Sequence, residues 1–193
     1  MQETRSVLFA YYYFDFQDAS KRDLRGLLSS LLMQLSEYSV VCCEILYRLY
    51  TTRGDGSDQP SEAALVACLK DMLEFQAQVP IYIIVDALDE CPIATGTPSP
   101  RKRVLDFMKD LVGRKHSNLH ICITSRPEQD IQATLNPLTS PSRQVSLHEE
   151  IGQMEDINNY IRFFVYSDET MRRWRAEDKE LVINTLSERA GGM

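Results

Sequence analysis

The sequence has no excess of basic residues. Lysine and arginine together number 21 and aspartate and glutamate number 28, so the 193-residue chain has a net charge of −7. A protein that binds nucleic acid through its phosphates needs clustered positive charge to replace the counterions that it releases. The composition therefore argues against a protein that binds the phosphate backbone of nucleic acids in general, and we expect no nucleic-acid partner.

Cysteine and histidine do not occur at the spacings of a metal site. The five cysteines are an odd number, and the sequence contains no Cys-x-x-Cys pair and no recognisable Cys/His ligand pattern. Zinc sites and disulfide frameworks depend on such patterns. We therefore expect reduced thiols in a reducing compartment, with Cys42, Cys68 and Cys122 buried as small apolar side chains.

Long apolar segments are also missing. The N-terminal apolar run is far too short to cross a bilayer, is interrupted by Asp15 and lacks the cleavage pattern of a signal peptide. The proportions of hydrophobic (44%) and charged (25%) residues are those of a folded globular protein. We expect a soluble, cytoplasmic protein with no membrane partner.

The sequence does contain an alternation of strand and helix patterns. Continuous apolar and aromatic runs predict strands that are buried on both faces. Apolar residues at intervals of three and four predict amphipathic helices, with N-terminal signals at Ser20 and Ser61. The predicted strands are 7–14, 80–86, 119–124 and 143–147, and the predicted helices are the segment from Ser20 to Leu35, 37–50, 61–77, 101–115, 127–135, 153–166, 168–175 and 177–190.

This order of elements predicts the fold class. Strands alternate with helices up to residue 147, and only helices follow, which is typical of an α/β fold with a parallel sheet and a C-terminal helical extension. We expect the α/β core to cover residues 1–150 and the helical extension to begin at residue 151 and cover 151–193.

The strand 80–86 ends in an acidic residue, Asp86, and Asp89 and Glu90 follow after two residues. Open α/β sheets bind ligands at the carboxyl ends of their strands. A carboxylate there suits hydrated Mg²⁺, which needs only one or two carboxylates besides water and phosphate oxygens. The two following acids are suited to orient or deprotonate a water molecule. The alternative is that Asp86 only caps the next element.

The strand 119–124 ends in polar residues as well, and Arg126 follows it. An arginine beside a phosphate site can sense or stabilise the phosphate charge. A salt-bridged surface arginine is the simpler explanation when the segment is taken alone. The functional interpretation gains support because this strand lies next along the chain after the strand that ends at Asp86.

Together the segments VDALDECP and ITSRPE resemble the Walker B and sensor 1 motifs of the NACHT domain in fungal STAND (NLR-like) P-loop NTPases of the nephrocystin-like N-terminal type. The resemblance implies that Asp86 is the Mg²⁺-site carboxylate, that Asp89 and Glu90 are a catalytic acidic pair and that Arg126 contacts nucleotide. It also implies Mg²⁺ and ATP or ADP as cofactors of the intact family domain.

One motif of that family is missing from this sequence. A phosphate-binding loop has the pattern Gly-x-x-x-x-Gly-Lys-[Ser/Thr], and none of the lysines here follows a glycine. The nearest segment, residues 113–117, lacks the first glycine and the Gly-Lys pair. We therefore expect a partial P-loop NTPase sheet without the Walker A strand, and no tight nucleotide binding by this chain alone.

The missing motif has a structural consequence. The resemblance implies the sheet order 5-1-4-3-2, in which the strand that leads to the phosphate loop lies between the sensor strand and the last strand. Without it, the predicted strands 119–124 and 143–147 would each have a free edge. We expect the segment 143–147 to be displaced or poorly paired.

Three functions remain open at this stage. The first is a fragment of a STAND signalling NTPase, an ATP/ADP-dependent switch that oligomerises. The second is a non-enzymatic interaction module or an inert truncated paralogue, which associates with itself or with full-length relatives. The third is an unrelated Mg²⁺-dependent phosphotransferase or hydrolase that uses Asp86, Asp89 and Glu90.

Overall fold

A computed structural model of the chain describes residues 7–51, 59–75, 79–93, 98–146 and 151–190, with the backbone alone for residues 151–154. Its sheet has three parallel strands in the order β1-β2-β3. In the register, Leu8 lies opposite Ile81 and Ile81 lies opposite Leu119. The strands are β1 (Leu8–Tyr13), β2 (Ile81–Asp86) and β3 (Leu119–Ile123).

Seven α-helices lie within the described ranges. They are α1 (Leu24–Tyr38), α2 (Val40–Thr51), α3 (Glu62–Phe75), α4 (Pro100–Gly113), α5 (Gln129–Leu135), α6 (Ile151–Ser167) and α7 (Ala176–Ala190). The α/β class and the parallel sheet are confirmed, and the two helices after residue 150 follow the predicted pattern.

The core lies on one face of the sheet. Alternate residues of β1 and β2 are buried there against the leucine stripe of α1 and the inner faces of α3 and α4. The opposite face is exposed, with Tyr11 at 54% and Tyr82 at 42% of their full accessibility. The prediction that these strands are buried on both faces is therefore wrong, because the helices described between residues 7 and 139 cover only one face.

Helix α1 begins later than predicted. Asp23 is its N-cap, and the Asp23 carboxylate accepts a hydrogen bond of 2.9 Å from the backbone N–H of Gly26. Ser20 lies instead in a short 3₁₀ turn that is capped by Asp18. An aspartate carboxylate is a strong N-cap acceptor, so it fixes the helix start at Leu24. The predicted start of the third helix is confirmed, because Ser61 accepts from Ala64 N–H at 3.3 Å.

Two predicted elements are not formed. Residues 143–146 contain no strand, and Val145 is 76% exposed; residue 147 lies outside the described ranges. The expected displacement of this segment thus agrees with the structure for the residues that are described. Residues 168–175 form turns rather than a helix, with Asp168 accepting hydrogen bonds from the backbone and the hydroxyl of Thr170.

The chain divides into two compact units. One covers Met1–Thr139 and the other Ser140–Met193. In the second unit α6 packs on α7, and Arg162 forms an ion pair of 2.8 Å with Glu180. Trp174 lies in the turn between these helices. No helix in the described part of the chain is long and apolar enough to cross a membrane.

Candidate functional site

The segments that follow β2 and β3 meet at the carboxyl edge of the sheet. They do so because the two strands are parallel neighbours, with Val85 opposite Ile123. The hydroxyl of Thr124 donates a hydrogen bond to the Asp86 carboxylate and accepts one of 3.1 Å from Ala87 N–H. The backbone continues the connection, because Leu88 N–H donates to the Thr124 carbonyl at 3.1 Å.

Asp89 and Arg126 form the second contact between these segments. The backbone N–H of Arg126 donates to Asp89 Oδ1 at 3.0 Å, and the guanidinium Nε lies 3.5 Å from Asp89 Oδ2. The Asp89 side chain is 11% exposed and that of Arg126 is 82% exposed. The carboxylate is therefore fixed, and most of the guanidinium is open to a ligand in solvent.

Glu90 contacts a different part of the molecule. Its Oε2 accepts a hydrogen bond of 3.3 Å from the backbone N–H of Phe16, in the segment after β1. The structure thus joins Asp86 to Thr124 and Asp89 to Arg126 at one edge of β2 and β3, while Glu90 connects the same turn to the segment after β1.

The backbone between Asp86 and Asp89 makes a sharp turn at Ala87. This residue has φ 53°, in the left-handed region, which costs a non-glycine residue about 1 kcal/mol. Hydrogen bonds from Ala87 N–H and Leu88 N–H to Thr124 hold the turn in place. Thr124 therefore stabilises the conformation that presents the acidic residues.

Arg101 is a residue of this region that the sequence patterns did not identify. It lies in the first turn of α4 and is only 5% exposed. Its Nη2 donates to the Asp89 carbonyl at 2.5 Å, its Nε donates to the Cys91 carbonyl at 2.8 Å, and its Nη1 lies 3.4 Å from Asp130. A positive charge is unfavourable at a helix N-terminus, so its position there was a signal that it has partners elsewhere.

The thiol of Cys91 lies beneath the same turn. It is completely buried, and its Sγ donates to the Arg22 carbonyl at 3.3 Å. Burial raises the pKa of Cys91 to about 12, and the nearby Arg101 charge opposes this only in part. Cys91 is therefore a neutral, structural thiol rather than a nucleophile.

The other cysteines agree with the sequence only in part. Cys42 and Cys68 are buried as predicted, but Cys122 is exposed. Cys122 belongs to the set of β3 residues that faces away from the helices, where its neighbour in register is Ile84. The alternation of Leu119, Ile121 and Ile123 with His120 and Cys122 was the signal for this face, because it places Cys122 on the same side of the strand as a histidine.

The residues at the sheet edge fit one kind of metal ion. No group of three or more acidic, histidine or cysteine side chains that could hold a metal occurs among the described residues. Asp86 is exposed and has the Thr124 hydroxyl beside it. One carboxylate and one hydroxyl suit hydrated Mg²⁺, whose remaining ligands are water and phosphate oxygens, and they do not suit a closed metal cage.

These features define an α/β protein with a polar site at the carboxyl edge of a parallel sheet. The chain belongs to the nephrocystin 3, N-terminal family, whose model matches residues 1–126. The matched range contains Asp86, Asp89, Glu90 and Arg126. Searches for similar curated proteins and for similar solved structures found no match.

Proposed function

We propose that this chain is part of a STAND-type signalling NTPase of the NACHT class, a switch that oligomerises in response to ATP or ADP. The observation that carries the proposal is the contact between the ends of two adjacent parallel strands, where Asp89 binds Arg126 and Asp86 binds Thr124. Ligands of open α/β sheets bind at such edges. Membership of the nephrocystin 3, N-terminal family adds support.

In this proposal each residue has a separate role. Asp86, oriented by Thr124, would hold Mg²⁺, and the ion when bound would neutralise phosphate charge. Asp89 and Glu90 are the acidic pair that would orient water. Arg126 would contact the terminal phosphate, because its guanidinium is mostly exposed while its backbone is anchored to Asp89.

The contact between Arg126 and Asp89 suggests how ATP and ADP could be distinguished. The Nε–Oδ2 separation of 3.5 Å is long and the guanidinium is exposed, while the buried Asp89 carboxylate also has the Arg126 backbone N–H as a hydrogen-bond donor. A terminal phosphate could therefore replace Asp89 as the partner of the guanidinium at small cost. Such a replacement would give ATP a differential affinity for one of two arrangements, which a switch requires.

Nucleotide titration with a fluorescent ADP analogue and Mg²⁺ tests this function. We expect no tight binding by the 193-residue chain, and binding when the chain follows a Gly-x-x-x-x-Gly-Lys-[Ser/Thr] segment from a relative. In that longer protein Asp86→Asn should lower the Mg²⁺-dependent affinity roughly tenfold or more. The control is Asp106→Asn, an exposed acid on α4 that pairs with Lys102. Equal affinity in the two variants would contradict the assignment of Asp86.

The second candidate function is a non-enzymatic interaction module. The specific observation in its favour is the exposed sheet face, where Phe9, Tyr11 and Tyr82 are each more than 40% exposed. Apolar patches of this kind mark association surfaces. Sedimentation of the wild-type chain and of the double variant Phe9→Ser, Tyr82→Ser tests this function. We expect the wild type to associate and the double variant to lose that association. A wild-type chain that stays monomeric at all concentrations argues against self-association.

A further inference from the structure

Arg101 connects the two segments that carry the candidate site. Two of its donors bind backbone carbonyls in the turn after β2, those of Asp89 and Cys91. Its Nη1 lies 4.0 Å from Glu128, the N-cap of α5, and 3.4 Å from Asp130, in the first turn of α5. One side chain on α4 therefore contacts the backbone of Asp89 on one side and, on the other, acidic residues that follow Arg126 in the chain.

The burial of Arg101 shows that these contacts act as a unit. A buried charge is tolerated only when opposite charge and hydrogen-bond acceptors surround it. Arg101 is 5% exposed and has two carbonyl acceptors and two carboxylates around it. Movement of either segment would leave a buried guanidinium donor without its acceptor. The two segments are thus held in one arrangement.

We propose that Arg101 is a positioning residue, which fixes the turn 88–91 and the segment 124–130 relative to each other so that the Asp89 carboxylate meets Arg126. The role of this contact in nucleotide binding rests on the proposed function above, but the positioning itself does not. Arg101 touches no reacting atom in this proposal; it acts through the backbone of Asp89 and through Asp130.

The test follows the Arg126 amide, whose hydrogen bond to Asp89 spans the two segments. Hydrogen exchange at this amide is measured by NMR on the 193-residue chain without nucleotide. In Arg101→Met, which keeps an apolar stem and removes every donor, we expect exchange to accelerate roughly tenfold or more, as loss of a charge-assisted hydrogen bond implies. Arg101→Lys, with a single charged head group, should recover part of the protection.

Arg103→Met is the matched control. Arg103 lies on the same helix, and its Nη1 is 2.8 Å from both carboxylate oxygens of Glu62 on α3. This variant removes an ion pair of α4 but should leave Arg126 exchange at its wild-type rate. A folded Arg101→Met protein with unchanged Arg126 exchange overturns the proposal, and so does equal acceleration in the Arg103→Met control.

Asp130→Asn keeps the proposal testable if Arg101→Met does not fold. Asp130 is exposed, so its replacement removes only the charge that faces Nη1. We expect hydrogen exchange at the Arg126 amide to accelerate, because Arg101 loses the charge that attaches it to α5. Unchanged exchange in both Asp130→Asn and Arg101→Lys overturns the proposal.

Nucleotide affinity separates this inference from the proposed function. In the longer protein that carries a phosphate loop, Arg101→Lys should lower affinity for the fluorescent ADP analogue while Arg103→Met does not. If no variant of that protein binds nucleotide but the exchange result holds, the proposed function fails and the positioning role stands. If nucleotide binds but the exchange rate of the Arg126 amide is the same in the Arg101 variants as in the wild type, the positioning role fails and the proposed function stands.

Discussion

Gly26 occupies a position where even one methyl group does not fit. A Cβ at this site would overlap the carbonyl oxygen of Ser20 and lie 2.7 Å from the Tyr12 hydroxyl. That hydroxyl itself donates to the Ser20 carbonyl. Because a backbone atom cannot move aside cheaply, Gly26→Ala should lower the free energy of unfolding by about 1–3 kcal/mol in urea denaturation, in spite of the better helix propensity of alanine.

The matched control for Gly26 lies at the end of α4. A Cβ at Gly113 would meet nothing within 4 Å. Gly113→Ala should therefore leave stability unchanged or raise it by up to about 1 kcal/mol. Similar losses in the two variants would show that the crowding at Ser20 is not the cause.

The buried thiol of Cys91 should make stability depend on alkaline pH. Burial raises the pKa of Cys91 from 9.0 to about 12. Between these values the unfolded chain has lost the thiol proton and the folded chain retains it, so the free energy of unfolding falls as pH rises from about 9 towards 12. This stabilisation is fully present below pH 9. One such group contributes at most about 1.4 kcal/mol per pH unit.

Cys91→Ser isolates this contribution because a serine hydroxyl does not titrate in that range. We expect the decline in stability above pH 9 to be shallower in Cys91→Ser than in the wild type. Cys43→Ser, at an exposed cysteine, should retain the wild-type slope. Parallel slopes for Cys91→Ser and the wild type would refute the assignment.

The sequence predicted the candidate site residue by residue where the signal was local. An apolar strand that ends in an acid identified Asp86, and the polar end of the next strand identified Arg126. The partner of Glu90 was not predictable, because Phe16 is 74 residues away and offers only its backbone N–H. Arg101 was missed because a charged residue on an amphipathic helix is normally assigned to the surface.

At the scale of elements, the outer edge of β1 is closed by a side chain. The Tyr11 N–H donates to Gln34 Oε1 at 3.1 Å, and Gln34 Nε2 donates to the Tyr11 carbonyl at 2.7 Å. The amide of Gln34 thus pairs with the strand as a neighbouring strand would. Without this pairing the edge of β1 would be free, and free strand edges are sites of unwanted association.

Gln34→Ala should expose this edge. We expect a loss of about 1 kcal/mol in the free energy of unfolding and an increase of apparent mass with concentration, measured by urea denaturation and by light scattering after gel filtration. Gln132→Ala, at an exposed glutamine on α5, is the control and should change neither quantity. A Gln34→Ala protein that stays monomeric and fully stable would show that the amide does not protect the edge.

The elements themselves were predictable where their patterns are long and periodic. The leucine stripe of α1 and the strand 80–86 appear as expected. The segment 143–147 has a strand-like composition, but a strand forms only against a partner edge, and composition carries no information about pairing. For the same reason, the apolar outward face of β1 did not reveal whether another element covers it.

At the scale of the molecule, the main core belongs entirely to the first unit. Among the residues that the structure describes, its buried cluster extends from Leu8 to Ile131 and includes none after Thr139. We therefore expect residues 1–139 to fold alone. Urea denaturation of this shorter chain, monitored by circular dichroism, should show one cooperative transition, with a midpoint close to that at which the first unit unfolds in the full chain.

A second, shorter chain provides the contrast. Residues 1–128 lack Ile131, which is 4% exposed in this cluster, and Asp130, the partner of Arg101. We expect this chain to be less stable by about 2 kcal/mol or more. A chain of residues 1–139 that shows no cooperative transition would mean that the second unit is needed for the first to fold.

Trp174 is the sole tryptophan of the protein and lies in the turn between α6 and α7. It is 46% exposed, so its emission is sensitive to the packing of those two helices. Tryptophan fluorescence therefore comes from the second unit alone. A denaturation curve recorded at tryptophan emission follows residues 140–193, while the far-ultraviolet signal follows both units, so one unlabelled sample reports whether they unfold together.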